Sequence, residues 1–304
     1  MNPLCARNVP SYGARMTDHD ALSTPFDLLD AYHTRLGHTA EVRPDGDTLR
    51  ALHLAHILTI PFENLDALGG TVPSLAAADL AAKLLGGRRG GYCYEHNTLF
   101  ALALEAAGFE VTRLTARVVL GVERFASRPR THMALLVRIP GEAEPYLADV
   151  GFGASTGLLQ PLPLVTGSEA EAAGRRHRLV HAPHPGPLDL WVLEAYDAGK
   201  EEWQAQYAFT VEPFEHADFE MINFYIAASP RSPFSRRLYA LRTGEDRHLV
   251  LDDRRLTVTA ADGTATTREL ADEAEARTVL AEDFGITAPD GMTLLKPRVP
   301  GASV

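Results

Sequence analysis

The chain has 304 residues, 45% apolar and 23% charged, the composition of an ordinary globular protein with room for about two or three domains. Its formal net charge of -11, from 29 basic and 40 acidic residues, argues against a general nucleic-acid binder, which needs a concentrated positive surface. No stretch approaches the roughly 18 apolar residues that span a bilayer, and the N-terminus lacks the apolar core of a secretory signal, so a cytoplasmic location is the expectation.

Residues 1–24, rich in helix and strand breakers, read as a poorly ordered extension. From Pro25 to Gly108 the period is helical. Phe26, Leu29 and Tyr32 or His33 recur at one-turn spacing, and Leu49 to Ile60 forms a second apolar stripe. Ser74 caps a helix expected over Leu75 to Leu85, which Gly86 and Gly87 end, and another helix is predicted from about Cys93 to Ala107. After Gly108 the period changes to two. Val111 to Val122, His132 to Ile139 and Tyr146 to Val150 read as strands, the last two joined by a turn at Pro140-Gly141. Trp191 to Ala195 and Gln206 to Val211 continue the pattern of an antiparallel sheet or small barrel. Strands at Arg247 to Asp252 and Arg255 to Thr259 and a helix from about Ala271 to Phe284 close the chain.

Only two cysteines occur, Cys5 and Cys93, so neither a disulfide framework nor a thiolate zinc site is available. Cys93 stands in Arg89-Gly90-Gly91-Tyr92-Cys93-Tyr94-Glu95, where paired glycines just before a helix place it in the first turn. Exposed N–H groups and the helix dipole favour a thiolate there. A lone cysteine is more often a small buried hydrophobe, and what changes the reading is its partners.

If the hairpin turns around Gly141 and Glu142, His132 faces Gly151 and lies diagonal to Asp149. That puts both side chains on one face at about 7 to 8 Å between backbones, although a one-residue slip would separate them. His96, three residues after Cys93, is the competing base, but no carboxylate is placed to orient it. His177, His181 and His184 sit among prolines and a glycine with no nearby cysteine or paired carboxylate, a weak case for a metal.

At these residues the sequence resembles the arylamine N-acetyltransferase family. The signature R-G-G-x-C-x-E stands as Arg89 to Glu95, the histidine segment as Thr131-His132 and the aspartate segment as Asp149 to Gly153. Ile60-Pro61-Phe62-Glu63-Asn64-Leu65, Tyr207 to Thr210 and Ser229 to Phe234 match further elements in order. Ala154 and Pro233 depart from the family pattern. The resemblance implies an α+β fold built on a cysteine-protease-like Cys-His-Asp core. Residues 25–110 would form a helical bundle carrying the nucleophile, 111–213 a β-barrel carrying His132 and Asp149, and 214–304 an α/β lid.

It further implies that Cys93, His132 and Asp149 form a catalytic triad, that Phe62, Phe152 and Phe234 line an aromatic acceptor pocket, and that Thr131 and Gly151 lie near the acyl group. The expected chemistry is ping-pong transfer from acetyl-CoA, a co-substrate with no permanent cofactor or metal, to an arylamine, arylhydrazine or arylhydroxylamine. No nucleic acid or membrane partner is expected, and a homodimer is a possible assembly. Arg231, Arg236 and Arg237 offer a local site for the CoA phosphates. The alternatives are an amide synthase of the same fold that releases a polyketide as a macrolactam, a thiol hydrolase or transglutaminase-like enzyme, and a non-catalytic acyl-CoA-binding module.

Overall fold

The computed structural model of the chain describes residues 25–260 and 263–296. The expected N-terminal extension and Cys5 lie outside the described residues. Helices open the described part: α1 (Pro25–Leu36) and α2 (Gly46–Thr59), the second begun by Asp45, whose carboxylate accepts from the Thr48 N–H at 2.8 Å. After the short strand β1 (Phe62–Glu63) come α3 (Leu65–Leu68), α4 (Ala77–Leu80) and α5 (Cys93–Ala106). The helix expected over Leu75 to Leu85 begins later, at Ala77, and widens from Ala81 to Gly86 into a π-type turn. The Ser74 hydroxyl accepts from the Ala76 N–H before the helix starts.

Eight strands follow in one antiparallel sheet: β2 (Glu110–Val118), β3 (His132–Arg138), β4 (Tyr146–Ala148), β5 (Leu162–Pro163), β6 (Glu169–Ala172), β7 (Arg175–Ala182), β8 (Leu190–Asp197) and β9 (Glu202–Phe209). Their spatial order is β5-β4-β3-β2-β9-β8-β7-β6, and the sheet curls into a nearly closed barrel around Leu114, Ala134, Leu136, Leu147, Leu179, Leu193 and Tyr207. β3 is buried on both faces. Ala134 and Leu136 point into the barrel, while Met133, Leu135 and Val137 pack with Leu52, Phe100 and Leu104 in the helical core. α5 is sandwiched between that strand and α1, so every residue from Cys93 to Ala101 is buried.

The last part holds α6 (His216–Ala228), α7 (Pro233–Arg236), β10 (Tyr239–Thr243), β11 (Arg247–Asp252), β12 (Arg255–Ala260), β13 (Ala265–Glu269) and α8 (Glu273–Val279). The second sheet runs β1-β10-β11-β12-β13, with Phe62 paired to Leu241 and Glu63 to Ala240. A strand from the helical part therefore forms the edge of the C-terminal sheet. The fold is α+β, as the sequence leads one to expect. α8 passes into a π-type turn (Leu280–Phe284) that ends at Gly285, where φ is +71°.

Candidate active site

The glycines before Cys93 are required by close approach. A Cβ on Gly90 would lie 1.7 Å from the Pro61 carbonyl oxygen, and one on Gly91 would lie 2.7 Å from the Glu95 carboxyl. With that space kept clear, the Gly91 carbonyl accepts from the Glu63 N–H at 2.8 Å, and Glu95 reaches back to accept from the Tyr92 N–H at 3.1 Å. Arg89 ties the segment down, donating from Nε to Glu63 at 2.7 Å and from its terminal nitrogen to Asp66 at 2.6 Å. Lys83 bridges Asp66 and Glu95, both at 2.6 Å. Burial pushes Glu95 up, and Lys83 offsets this only in part, leaving it at about 7.

Cys93 is the first residue of α5, 5% exposed, with Sγ 4.0 Å from the Thr131 carbonyl oxygen. The β3–β4 hairpin pairs Leu135 with Ala148 and Val137 with Tyr146, the register expected from a turn around Gly141 and Glu142. Continued past the end of β4, it sets His132 against Gly151 and brings Asp149 to the same face. His132 Nε2 meets Asp149 Oδ2 at 2.6 Å, which leaves Nδ1 for the cysteine. Burial opposes charge on the ring, but the Asp149 carboxylate, aided by a hydrogen bond with Cys93, lifts His132 to about 10. Burial would raise Asp149 too; His132, Asn97 and the Gly151 N–H hold it below the usual carboxylate value instead.

Asn97, one turn beyond Cys93, was not singled out by the sequence. Its Nδ2 donates to Asp149 Oδ1 at 2.9 Å and to the Met133 carbonyl at 2.7 Å, and its Oδ1 accepts from the Val150 N–H at 3.1 Å. The four-residue spacing on one helix face was the available signal. Gly151 also donates to Asp149 Oδ1, and a Cβ there would stand 2.8 Å from the Cys93 α-carbon. Thr131 donates its N–H to the Ala116 carbonyl beside the thiol.

The three expected pocket phenylalanines fall into two joined groups. Phe152 lies edge-on to His132 at 5.2 Å and to Tyr207 at 5.2 Å. Phe62 and Phe234 are 5.9 Å apart and pack with Tyr239 and Tyr92. Gly153 joins them, since a Cβ on it would meet the Phe62 ring at 2.5 Å and its carbonyl accepts from the Tyr239 hydroxyl at 2.8 Å. Asn64 fixes α7 by donating to the Phe234 and Arg237 carbonyls and accepting from the Tyr239 N–H. Pro233 occupies the first position of α7 after the capping Ser232, a favourable place for its fixed φ.

His96 does not face the thiol. Its Nε2 contacts the Pro61 carbonyl at 3.2 Å, its Nδ1 meets His56 Nε2 at 2.8 Å, and His56 Nδ1 meets the Tyr32 hydroxyl at 2.7 Å. A carbonyl can only accept, so every proton in this chain is fixed: His96 donates to Pro61, His56 to His96 and Tyr32 to His56. Burial holds His96 at about 4 and His56 well below its ordinary value.

His177 and His181 lie on β7, a strand the sequence did not suggest because arginines and histidines interrupt its apolar face. His177 contacts the Thr156 carbonyl, and His181 packs on Trp191 at 4.2 Å. Among the described residues no cluster suits a metal ion, and no helix is long and apolar enough to cross a membrane. Arg237, one of the expected CoA cations, is engaged by Asp252 at 2.5 Å.

A family model described as N-acetyltransferase matches residues 45–291. The arylamine N-acetyltransferase of Mycolicibacterium smegmatis is 39% identical over 264 residues, 86% of this chain and 93% of that protein. The crystal structure of the Nocardia farcinica arylamine N-acetyltransferase superposes with a TM-score of 0.80 at 39% identity, over 90% of this chain and 95% of that one. The Mycobacterium marinum arylamine N-acetyltransferase, solved in complex with CoA, superposes with a TM-score of 0.77 at 36% identity, over 85% and 92%.

Proposed function

The chain belongs to the arylamine N-acetyltransferase family, and from that premise we propose that Cys93, His132 and Asp149 pass an acetyl group from acetyl-CoA to an aromatic amine, hydrazine or hydroxylamine through a cysteine thioester. The observation that carries the reading is the buried His132–Asp149 pair, 2.6 Å apart, set beside a cysteine at the first turn of α5.

Held protonated by Asp149, His132 stabilises Cys93 as a thiolate. The sulfur attacks the acetyl thioester carbonyl, the bond to CoA sulfur breaks, and the departing thiolate takes a proton from His132. The exchange is thioester for thioester and nearly balanced. The amine nitrogen then attacks the acetyl-cysteine, the bond to Cys93 sulfur breaks, and His132 takes up the amine proton, restoring the ion pair. An aromatic amine suits this half because it arrives uncharged near neutral pH. Phe62, Phe152 and Phe234 form the apolar wall on which its ring packs, and Thr131 and Gly151 border the acyl group. We assign the bundle to residues 25–110, the barrel to 111–213 and the lid to 214–304, the triad lying where the first two meet.

Intact-protein mass spectrometry after mixing with acetyl-CoA and no amine tests this. A gain of roughly 42 Da is expected on the wild type, absent from Cys93→Ala and discharged by an aromatic amine. A Cys93 that reacts with a thiol reagent yet takes no acetyl group would overturn the assigned donor.

A further inference from the structure

His53 lies on α2, with no exposed surface, and plays no part in the chemistry above. Its Nε2 is 3.2 Å from the Asp149 backbone nitrogen and receives that N–H. The contact occurs just where β4 ends at Ala148, so the sheet supplies no ladder partner for this buried donor. An amide nitrogen can only donate. His53 Nε2 must therefore be unprotonated, which leaves the ring proton on Nδ1, toward the Leu159 carbonyl but without a hydrogen bond of standard geometry. Phe100 packs edge-on against the ring at 5.8 Å and fixes its plane.

Asp149 is thus held from two helices. Asn97 of α5 engages the carboxylate, and His53 of α2 engages the backbone of the same residue. We infer that His53 is a positioning residue for the Asp149–His132 pair, serving as an obligate hydrogen-bond acceptor for the Asp149 N–H. The inference rests on the reading of Asp149 and His132 as catalytic. Asp149, His177 and His56 are the titratable groups that act on the His53 ring. Burial outweighs the pull of the Asp149 carboxylate and keeps His53 at about 4, so it remains an acceptor through the neutral range.

In His53→Leu the Asp149 N–H loses its partner, and the carboxylate is free to drift from His132. The expected result is a fall in kcat of about tenfold with little change in the KM for acetyl-CoA, and an alkaline limb of the rate profile moved down by roughly one pH unit. His53→Gln, whose carbonyl can accept the same N–H, recovers most of the rate. A folded His53→Leu with full kcat and an unmoved alkaline limb would make His53 a packing residue only and overturn the inference. So would a Gln variant as impaired as the Leu variant. Long-range proton–nitrogen correlation spectra of the wild-type protein test the contact without any substitution: a protonated Nε2 on His53 at neutral pH overturns it, and an Nδ1–H tautomer supports it. If Asp149→Asn keeps full activity, the triad reading fails instead, and the tautomer measurement still reports on the His53 contact alone.

Discussion

The α-carbon of Gly90 and the carbonyl oxygen of Pro61 stand so close that no side chain fits between them: a Cβ would be 1.7 Å from the oxygen. The obstacle is backbone on both sides, so the strain cannot be relieved by rotating a side chain. Gly90→Ala is expected to destabilise the protein by about 3 kcal/mol or more and to lower Tm by at least about 5 °C in calorimetry. An unchanged Tm would mean that the two segments are not in contact.

Asp149→Asn keeps the shape of the side chain but removes the charge that raises His132. Acetyl-enzyme formation, followed by rapid-quench mass spectrometry, should slow by on the order of 10²-fold or more while the far-UV spectrum is unchanged. Loss of the limb near pH 10 should accompany it.

Stability should peak close to pH 6.5. Burial lowers His53, His96 and His248 to about 4, and lowers His56 as well, so between about 4 and the ordinary value of 6.5 the unfolded chain binds more protons and stability rises with pH. Glu95 acts in the opposite sense below about 7, as one group against these four. Above 6.5 the folded chain retains the proton on His132 that the unfolded chain loses, so stability falls until pH passes about 10. Urea midpoints measured at pH 5, 6.5 and 9 check this; a midpoint still rising at pH 9 would contradict it.

Arg89→Met leaves the fully buried Glu63 side chain and the partly buried Asp66 without their guanidinium. A loss of about 3–5 kcal/mol is expected, of which a second change, Glu63→Gln, should restore part. Denaturant titrations of the two single variants and the double variant measure the coupling, and strict additivity would argue against the ion pair.

Periodicity made the helical first part and the β3–β4 hairpin readable, because Gly141 marks the turn and the alternation of side chains sets the register that brings His132 to Asp149. Cys93 was readable from the glycines before it. β7 was not, since three arginines interrupt its apolar alternation: Arg176 and Arg178 stack on Tyr196 and Trp203, while Arg175, on the other face, reaches the Gly157 carbonyl and His248. α6 was missed because Met221, Phe224 and Tyr225 are apolar yet exposed, which blurs the stripe made by Phe219, Asn223 and Ile226. Contacts such as His53 to Asp149 join residues 96 apart in sequence through one backbone N–H, and no local pattern encodes them.

The pairing of β1 with β10 has a consequence for synthesis. Phe62 is made early, but the strand that flanks it and Phe234, whose carbonyl is bound by Asn64 from 170 residues away, are made late. Until Leu241 has left the ribosome, Phe62 and Glu63 present an unpaired edge, and the aromatic wall has only one side. By then α5 and the β3–β4 hairpin have long been synthesised, so Cys93 and His132 are made well ahead of the strand and ring that complete the aromatic wall around Phe62.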